Sequence, residues 1–172
     1  MTNDGVDAIL RQWAQARPDL DASPMGVVGR ISRAARILER ELTRIFAAHG
    51  LQRGEFDILA TLRRASAPEG MGAGSLASSA MVTSGAITNR IDRLVAKDLV
   101  TREVDPANRR AVRIALTASG RRLVDTVVVE HAANEKRLLS VLDDDQQMQL
   151  AALLRQLLVG LGDVSPSDER PR

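Results

Sequence analysis

The chain has no cysteine and no tyrosine, and its only aromatic rings besides two histidines are Trp13, Phe46 and Phe56. Without cysteine there is no disulfide and no thiol switch. Without aromatics, Leu, Ile, Val and Ala must build the core, as they do in helix bundles. No apolar run approaches the roughly 18 residues of a membrane span. No basic stretch followed by an apolar one opens the chain, so no signal peptide is expected. The expected location is cytoplasmic, with no membrane partner. An excess of one charge is also missing: 24 Lys and Arg stand against 22 Asp and Glu. Any binding of a polyanion must therefore rest on where the charges lie. His49 and His131 are isolated from each other, which removes metal-ligand spacing, and no HExxH, nucleophile elbow or dinucleotide fingerprint occurs. The expectation is a protein without enzyme activity, cofactor or metal.

What is present is helical periodicity. Val6, Ile9, Leu10 and Trp13 mark one face of a short helix ended by Pro18. Ser23-Pro24 predicts the start of the next helix, with Ser23 as cap, and Gly50 its end. Along it Val28, Ile31, Ala35, Leu38, Leu42 and Ile45 form a coiled-coil-like seam. A third helix spans about 53–65. Residues 66–74, "SAPEGMGAG", read as a loop, because no Gly-Lys-Ser or Gly-Lys-Thr follows its glycines. A short helix around 76–80, a tight junction and a longer helix over 84–97, with Thr83 as cap, form a helix-turn-helix pattern. Strand material at 100–104, the turn Asp105-Pro106-Ala107-Asn108 and a second strand to Leu116 follow, with Val112, Ile114 and Leu116 alternating. Thr117 caps a helix over 118–140, and Asp143 with Gln146 forms a capping box for the last helix. That helix is expected to bury Leu150, Leu153, Leu154, Leu157, Leu158 and Leu161.

The fold class is thus mostly α with a small β-hairpin: a winged helix-turn-helix held between outer helices. The organisation read from this order is an added helix and a dimerisation helix in 1–50, a DNA-binding region in 51–117, C-terminal dimerisation helices in 118–163, and a polar, disordered tail in 164–172. The apolar seams at both ends predict a homodimer; packing within one chain is the competing reading.

On a helical wheel Ile87, Ile91, Leu94 and Val95 of residues 84–97 form a core face, and Ala86, Asn89, Arg90, Arg93 and Lys97 a basic one. Ser84 and Gly85 keep the leading end slim. Together with Thr88, these are the residues a major-groove helix needs, since Asn and Arg can make bidentate contacts to base edges. Between 83 and 113 seven positive and four negative side chains leave a local +3, more than the whole chain carries. Arg109 and Arg110 fall at the hairpin tip, where a wing can place arginine in a narrow minor groove. Asp105 can cap the turn or pair with Arg109. Asp57, between Phe56 and Ile58, needs a cationic partner, which Arg53 or Arg90 can supply. Trp13 offers a flat stacking surface. A helical adaptor that binds acidic partners through Arg30, Arg33, Arg36, Arg40 and Arg44 is the rival reading, but it leaves the wing without a purpose.

The stretch "TSGAITNRIDRLVAKDLVTREVDPANRRAVRIALTASGRRLVD" resembles the signature of MarR-family transcriptional regulators, with the Asp-x-x-x-Arg-Arg wing and the Leu-Thr-x-x-Gly exit together. The resemblance implies a homodimer joined by its terminal helices, bound to a double-stranded, pseudo-palindromic operator and released by a small-molecule effector. It implies Ser84, Thr88, Asn89, Arg90, Arg93, Arg109 and Arg110 as DNA-binding residues, with Arg110 toward DNA and Arg109 toward Asp105. The added helix, in "WAQARPDLDASPMGVVGRISR", is similar to a branch that includes urate-responsive, pectinase and trans-aconitate methyltransferase regulators. By that resemblance Trp13, Asp57, Arg90 and, secondarily, Arg63 bind the effector, a small organic anion: a urate-like purine, an aromatic carboxylate or an aconitate-type acid.

Overall fold

The computed structural model describes residues 2–65, 67, 69–79, 87–105 and 108–164, with the side chains of residues 105 and 108–110 outside that description. Two compact units are present, Met1–His131 and Ala132–Arg172.

The first unit opens with α1 (Gly5–Ala16), whose start is fixed by a capping box between Asp4 and Asp7. The Asp4 carboxyl is held below the usual carboxylate range chiefly by the Asp7 amide, with the Val6 amide and Arg30 adding to it. Arg30 binds both Asp4, at 2.8 Å, and Asp7, at 2.6 Å, and so ties α1 to α2 (Ser23–Ala48). Ser23 is not the cap of α2. Ala22 holds that place and makes no side-chain bond, while Asp21 accepts the Ser23 amide at 2.9 Å. Pro24 does sit in the first turn, as read.

Helix α3 (Arg53–Arg64) is the central helix of the first unit's core, and its Glu55, Phe56, Ile58, Leu59, Thr61 and Leu62 are buried. The segment read as a loop up to residue 74 is only partly one. Met71 and Gly72 form a two-residue strand, β1, and α4 (Ala73–Ser79) begins directly after it. The strand escaped the sequence pattern because two residues show no alternation; its pairing with Ile114 and Arg113 defines it. Helix α5 is described from Ile87 to Ala96, with Ile87, Ile91 and Leu94 buried as the wheel predicts, but Val95, also read as core, is exposed at the edge of that stripe. Thr83 and residues 84–86 lie outside the described residues.

Strands β2 (Val100–Asp105) and β3 (Asn108–Leu116) form the antiparallel hairpin, and the sheet order is β1-β3-β2. Ile114 is fully buried, with Val112 and Leu116 packed partly against the core. The Leu-Thr-x-x-Gly exit has a mechanical reason. Thr117 Oγ1 accepts the Gly120 amide at 2.9 Å, capping α6 (Ala118–Leu139), and donates to the Asp98 carbonyl at 2.7 Å. A Cβ at Gly120 would strike the Leu99 carbonyl, so only glycine lets α6 approach the turn after α5.

In the second unit Asp143 and Gln146 form the expected capping box of α7 (Asp144–Gly160). The leucines of α7 are not buried. Leu150, Leu153, Leu154, Leu157, Leu158 and Leu161 are all exposed, and α7 has no buried residue. Periodicity marks a face that favours burial without saying which chain covers it.

Candidate nucleic-acid interface and effector site

Helix α5 is docked by its apolar stripe, which leaves Thr88 and Asn89 exposed and Arg90 half-buried. Its other cations are less free than the local charge count suggests. Lys97 Nζ donates to Glu55 Oε2 and to the Gly50 carbonyl, both at 2.8 Å. Arg93 Nε lies 3.6 Å from Glu55 Oε1, with 49 % of the Arg93 side chain exposed and none of Glu55. On β2, Arg102 binds Asp92 of α5 at 2.9 Å, which braces the hairpin against α5. Arg113 of β3 approaches Glu69 at 3.8 Å. The outward-facing polar set of α5 is therefore Thr88, Asn89 and the half-exposed Arg93.

Glu55 was not picked out by sequence reasoning. The signal was available: Glu55 shares the i, i+3, i+4, i+7 face of α3 with Ile58, Leu59 and Leu62, all buried. Its carboxylate serves twice, since Oε2 also accepts the Gln52 amide at 2.8 Å and closes the capping box of α3.

The wing hairpin has an irregular register near its tip. Val104 pairs with Val112 and Asp105 with Asn108, so Arg109, Arg110 and Ala111 occupy extra length on β3. Such a bulge bends a hairpin and re-aims its side chains. The side chains of Asp105, Arg109 and Arg110 lie outside the described residues, as does all of Ser84.

Of the four residues read as effector ligands, Asp57 and Arg90 lie near enough for the Arg90 charge to act on the Asp57 carboxyl, but they form no ion pair or hydrogen bond. Asp57 is half-buried on α3, and burial pushes its carboxyl up from the usual aspartate range, against the opposing pull of Arg53, Arg90, Arg64 and His131. Both candidate partners act on Asp57 through their charge without pairing with it. Arg53 also forms an ion pair with Glu39. The Arg90 guanidinium lies across the Gly54 backbone, so close that a Cβ there would stand 2.5 Å from its Cζ. Arg90 Nη1 is buried and has no hydrogen-bond partner among the described residues. Phe56, next to Asp57 in the chain, is in the core: Phe46 stacks on it at 4.4 Å, and His131 meets the two rings at 5.4 and 5.1 Å. A cationic group with an unsatisfied buried donor, next to a carboxylate that burial disfavours as an anion, can accept an acidic ligand or its hydrogen-bonding edge.

Arg63 stands apart from this cluster. Its Nε donates to Asp125 of α6 at 2.6 Å, a pair far apart in sequence. Trp13 is on α1, 39 % exposed, on the helix that packs against α2. Among the described residues no group of three or more His, Cys, Asp or Glu is placed to hold a metal ion, and no helix is long and apolar enough to cross a membrane.

Residues 51–112 match the MarR family. Over 149 residues the chain is 39 % identical to the HTH-type transcriptional regulator PecS of Dickeya dadantii, covering 87 % of this chain and 90 % of that protein. In fold it is similar to Sco3205, a MarR family regulator of Streptomyces coelicolor in complex with DNA, with a TM-score of 0.74 at 24 % identity over 83 % of this chain and 89 % of that one. It is similar also to BpsR of Bordetella bronchiseptica, whose DNA binding is regulated by 6-hydroxynicotinic acid, with a TM-score of 0.68 at 24 % identity over 76 % and 91 % of the two chains.

Proposed function

Because the chain belongs to the MarR family of DNA-binding transcriptional regulators, we propose that it is a homodimeric repressor of a pseudo-palindromic operator, released by a small organic anion bound at Asp57 and Arg90. The observation that carries the reading is the position of Arg90. One helix, α5, holds the exposed Thr88 and Asn89 on one side and Arg90, against the scaffold helix, on the other. A ligand that takes Arg90 acts on the element that reads DNA.

Each subunit places α5 in a major groove, with half-sites about one helical turn, roughly 10 bp, apart. Arg110 at the wing tip enters the adjacent minor groove, and Arg109 pairs with Asp105, which shapes the turn. The exposed apolar faces of α2 and α7 are what a dimer buries: Val27, Val28, Ile37 and Leu38 on the first, the leucine series on the second. A protein of this size gains little from leaving such faces in water, at about 25 cal/mol per Å² of apolar surface.

Release follows from differential binding. An anion lowers operator affinity only by as much as it prefers the DNA-incompetent arrangement, and DNA must then weaken the anion by the same factor. The Arg90 donor favours an acidic ligand. That Sco3205 is in complex with DNA and that BpsR responds to 6-hydroxynicotinic acid support the two halves of the proposal. Trp13 supplies a further stacking face in this reading, whereas Arg63, held by Asp125, does not take part.

The test is a thermal-shift panel of urate, aromatic carboxylates and trans-aconitate on wild type, Trp13→Ala and Asp57→Ala, with each hit then added to a gel-shift titration on the chain's own promoter region. A hit that releases DNA and is lost in Asp57→Ala is expected. A hit unaffected by both substitutions would put the site elsewhere.

A further inference from the structure

Glu55 has one satisfied and one unsatisfied oxygen. Oε2 takes Lys97 and the Gln52 amide, whereas Oε1 is buried with no hydrogen-bond donor among the described residues. A buried carboxylate oxygen left without a donor is costly, so its one near cation is significant. That cation is Arg93, whose Nε faces Oε1 at 3.6 Å while half of its side chain reaches solvent. Asn89 and Arg93 fall one turn apart on α5, and Lys97 follows at the same spacing just past its end. The last is fixed to Glu55 and to the Gly50 carbonyl, the first is free to face outward, and Arg93 lies between them.

We propose that Glu55 is a positioning residue for base recognition: from the scaffold helix it holds Arg93 by its Nε and leaves the two terminal guanidinium nitrogens aimed outward, as a fork for one guanine edge. The inference rests on the reading of α5 as the DNA-reading helix. The physical reason is entropy. A free arginine must surrender its rotamer freedom when it binds a base, whereas one anchored at Nε has surrendered part of it already. A fork held end-on also matches the O6 and N7 acceptors of guanine. Glu55 therefore sets specificity without touching DNA. Because the same carboxylate anchors Lys97 and caps α3, Arg93 is referenced to the most buried helix of the reading head.

The test uses duplexes that the wild-type protein enriches from a random-sequence pool, and the single-base variants of the enriched site. Wild type, Glu55→Gln, Arg93→Ala and the double variant are titrated across salt concentrations. Glutamine keeps the shape and the capping box. Arg93→Ala should flatten the preference at one symmetry-related base pair by about tenfold, the scale of a bidentate contact. Glu55→Gln should flatten that same position, keep the salt slope, and add nothing in the Arg93→Ala background. A uniform loss across all sites, undiminished by Arg93→Ala, would reduce Glu55 to a stabilising role and overturn the proposal. Should Glu55→Gln fail to fold, Arg93→Lys decides: it retains the charge and the salt slope but lacks the fork, so a preserved base preference would overturn the proposal too. If wild type enriches a sequence and Arg93→Ala keeps every preference, the inference falls while the regulator reading stands. If wild type enriches none, that reading falls and the inference with it.

Discussion

Gly54→Ala separates the effector role of Arg90 from the stability of the fold. A Cβ at this position stands 2.5 Å from Arg90 Cζ and Nε and 2.8 Å from Nη1. Restoring an ordinary contact of about 3.5 Å requires the guanidinium to retreat by about 1 Å. The obstacle is the far end of a flexible side chain, so the backbone need not move. Alanine is also the better helix former, although Gly54, the second residue of α3, gains less than the roughly 0.5–1 kcal/mol of a helix interior. The melting temperature should hold or rise slightly. Ligand binding should not hold. Displacing the donor removes a hydrogen bond to a charged group, worth about 1.5–3 kcal/mol, so an anion held by Arg90 should bind about 10- to 100-fold more weakly. Isothermal titration with the best anion from the thermal-shift panel measures this directly. Unchanged affinity would mean that Arg90 does not hold the ligand, and a collapse in stability would mean that the guanidinium cannot yield.

At Gly120 the obstacle is backbone, so Gly120→Ala must separate α6 from the Leu99 carbonyl and should cost about 1–3 kcal/mol or more in a urea melt. Asp57→Asn should raise the melting temperature at neutral pH. Burial raises the carboxyl's pKa in the fold, so its ionisation opposes folding in full only above the folded value. The advantage of Asn should accordingly shrink as pH falls through the raised value and vanish below the ordinary aspartate range; an advantage independent of pH would contradict this. Leu153→Glu with Leu157→Glu should leave the helical circular dichroism intact, because both side chains are exposed in the single chain, yet yield monomers in sedimentation. A dimer that survives would place the interface elsewhere.

Local chemistry made much of this fold legible. Asp143 and Gln146 announce α7, Thr117 announces α6, and the alternation of Val112, Ile114 and Leu116 marks the strand that carries the wing. Each is a short-range rule in which the residue and its consequence lie within a few positions of each other. What escaped the sequence depends on distant partners. β1 exists because Met71 meets Ile114. Arg63 is spoken for by Asp125, and nothing in either segment predicts it. The leucines of α7 were legible as a stripe, but not as one left uncovered within its own chain. The charge count over the wing and recognition helix gave the right sign and too large a free charge, because Glu55, Asp92 and Glu69 take up four of the cations from three separate segments. Asp57 meets the charge of Arg53 and Arg90, as an aspartate flanked by Phe56 and Ile58 requires of its surroundings, but it forms no ion pair with either.

The central claim is that α5 and the wing read operator DNA and that a ligand at Arg90 undoes it. The most direct measurement is a titration of the protein on its own promoter region and on a scrambled duplex, across salt, with and without the anion. The expected result is preference for the promoter, a linear fall of log affinity with log salt, and a loss of promoter affinity in the anion equal to the loss of anion affinity on DNA. Equal affinity for promoter and scrambled duplex, or an anion that binds without changing either, would contradict it.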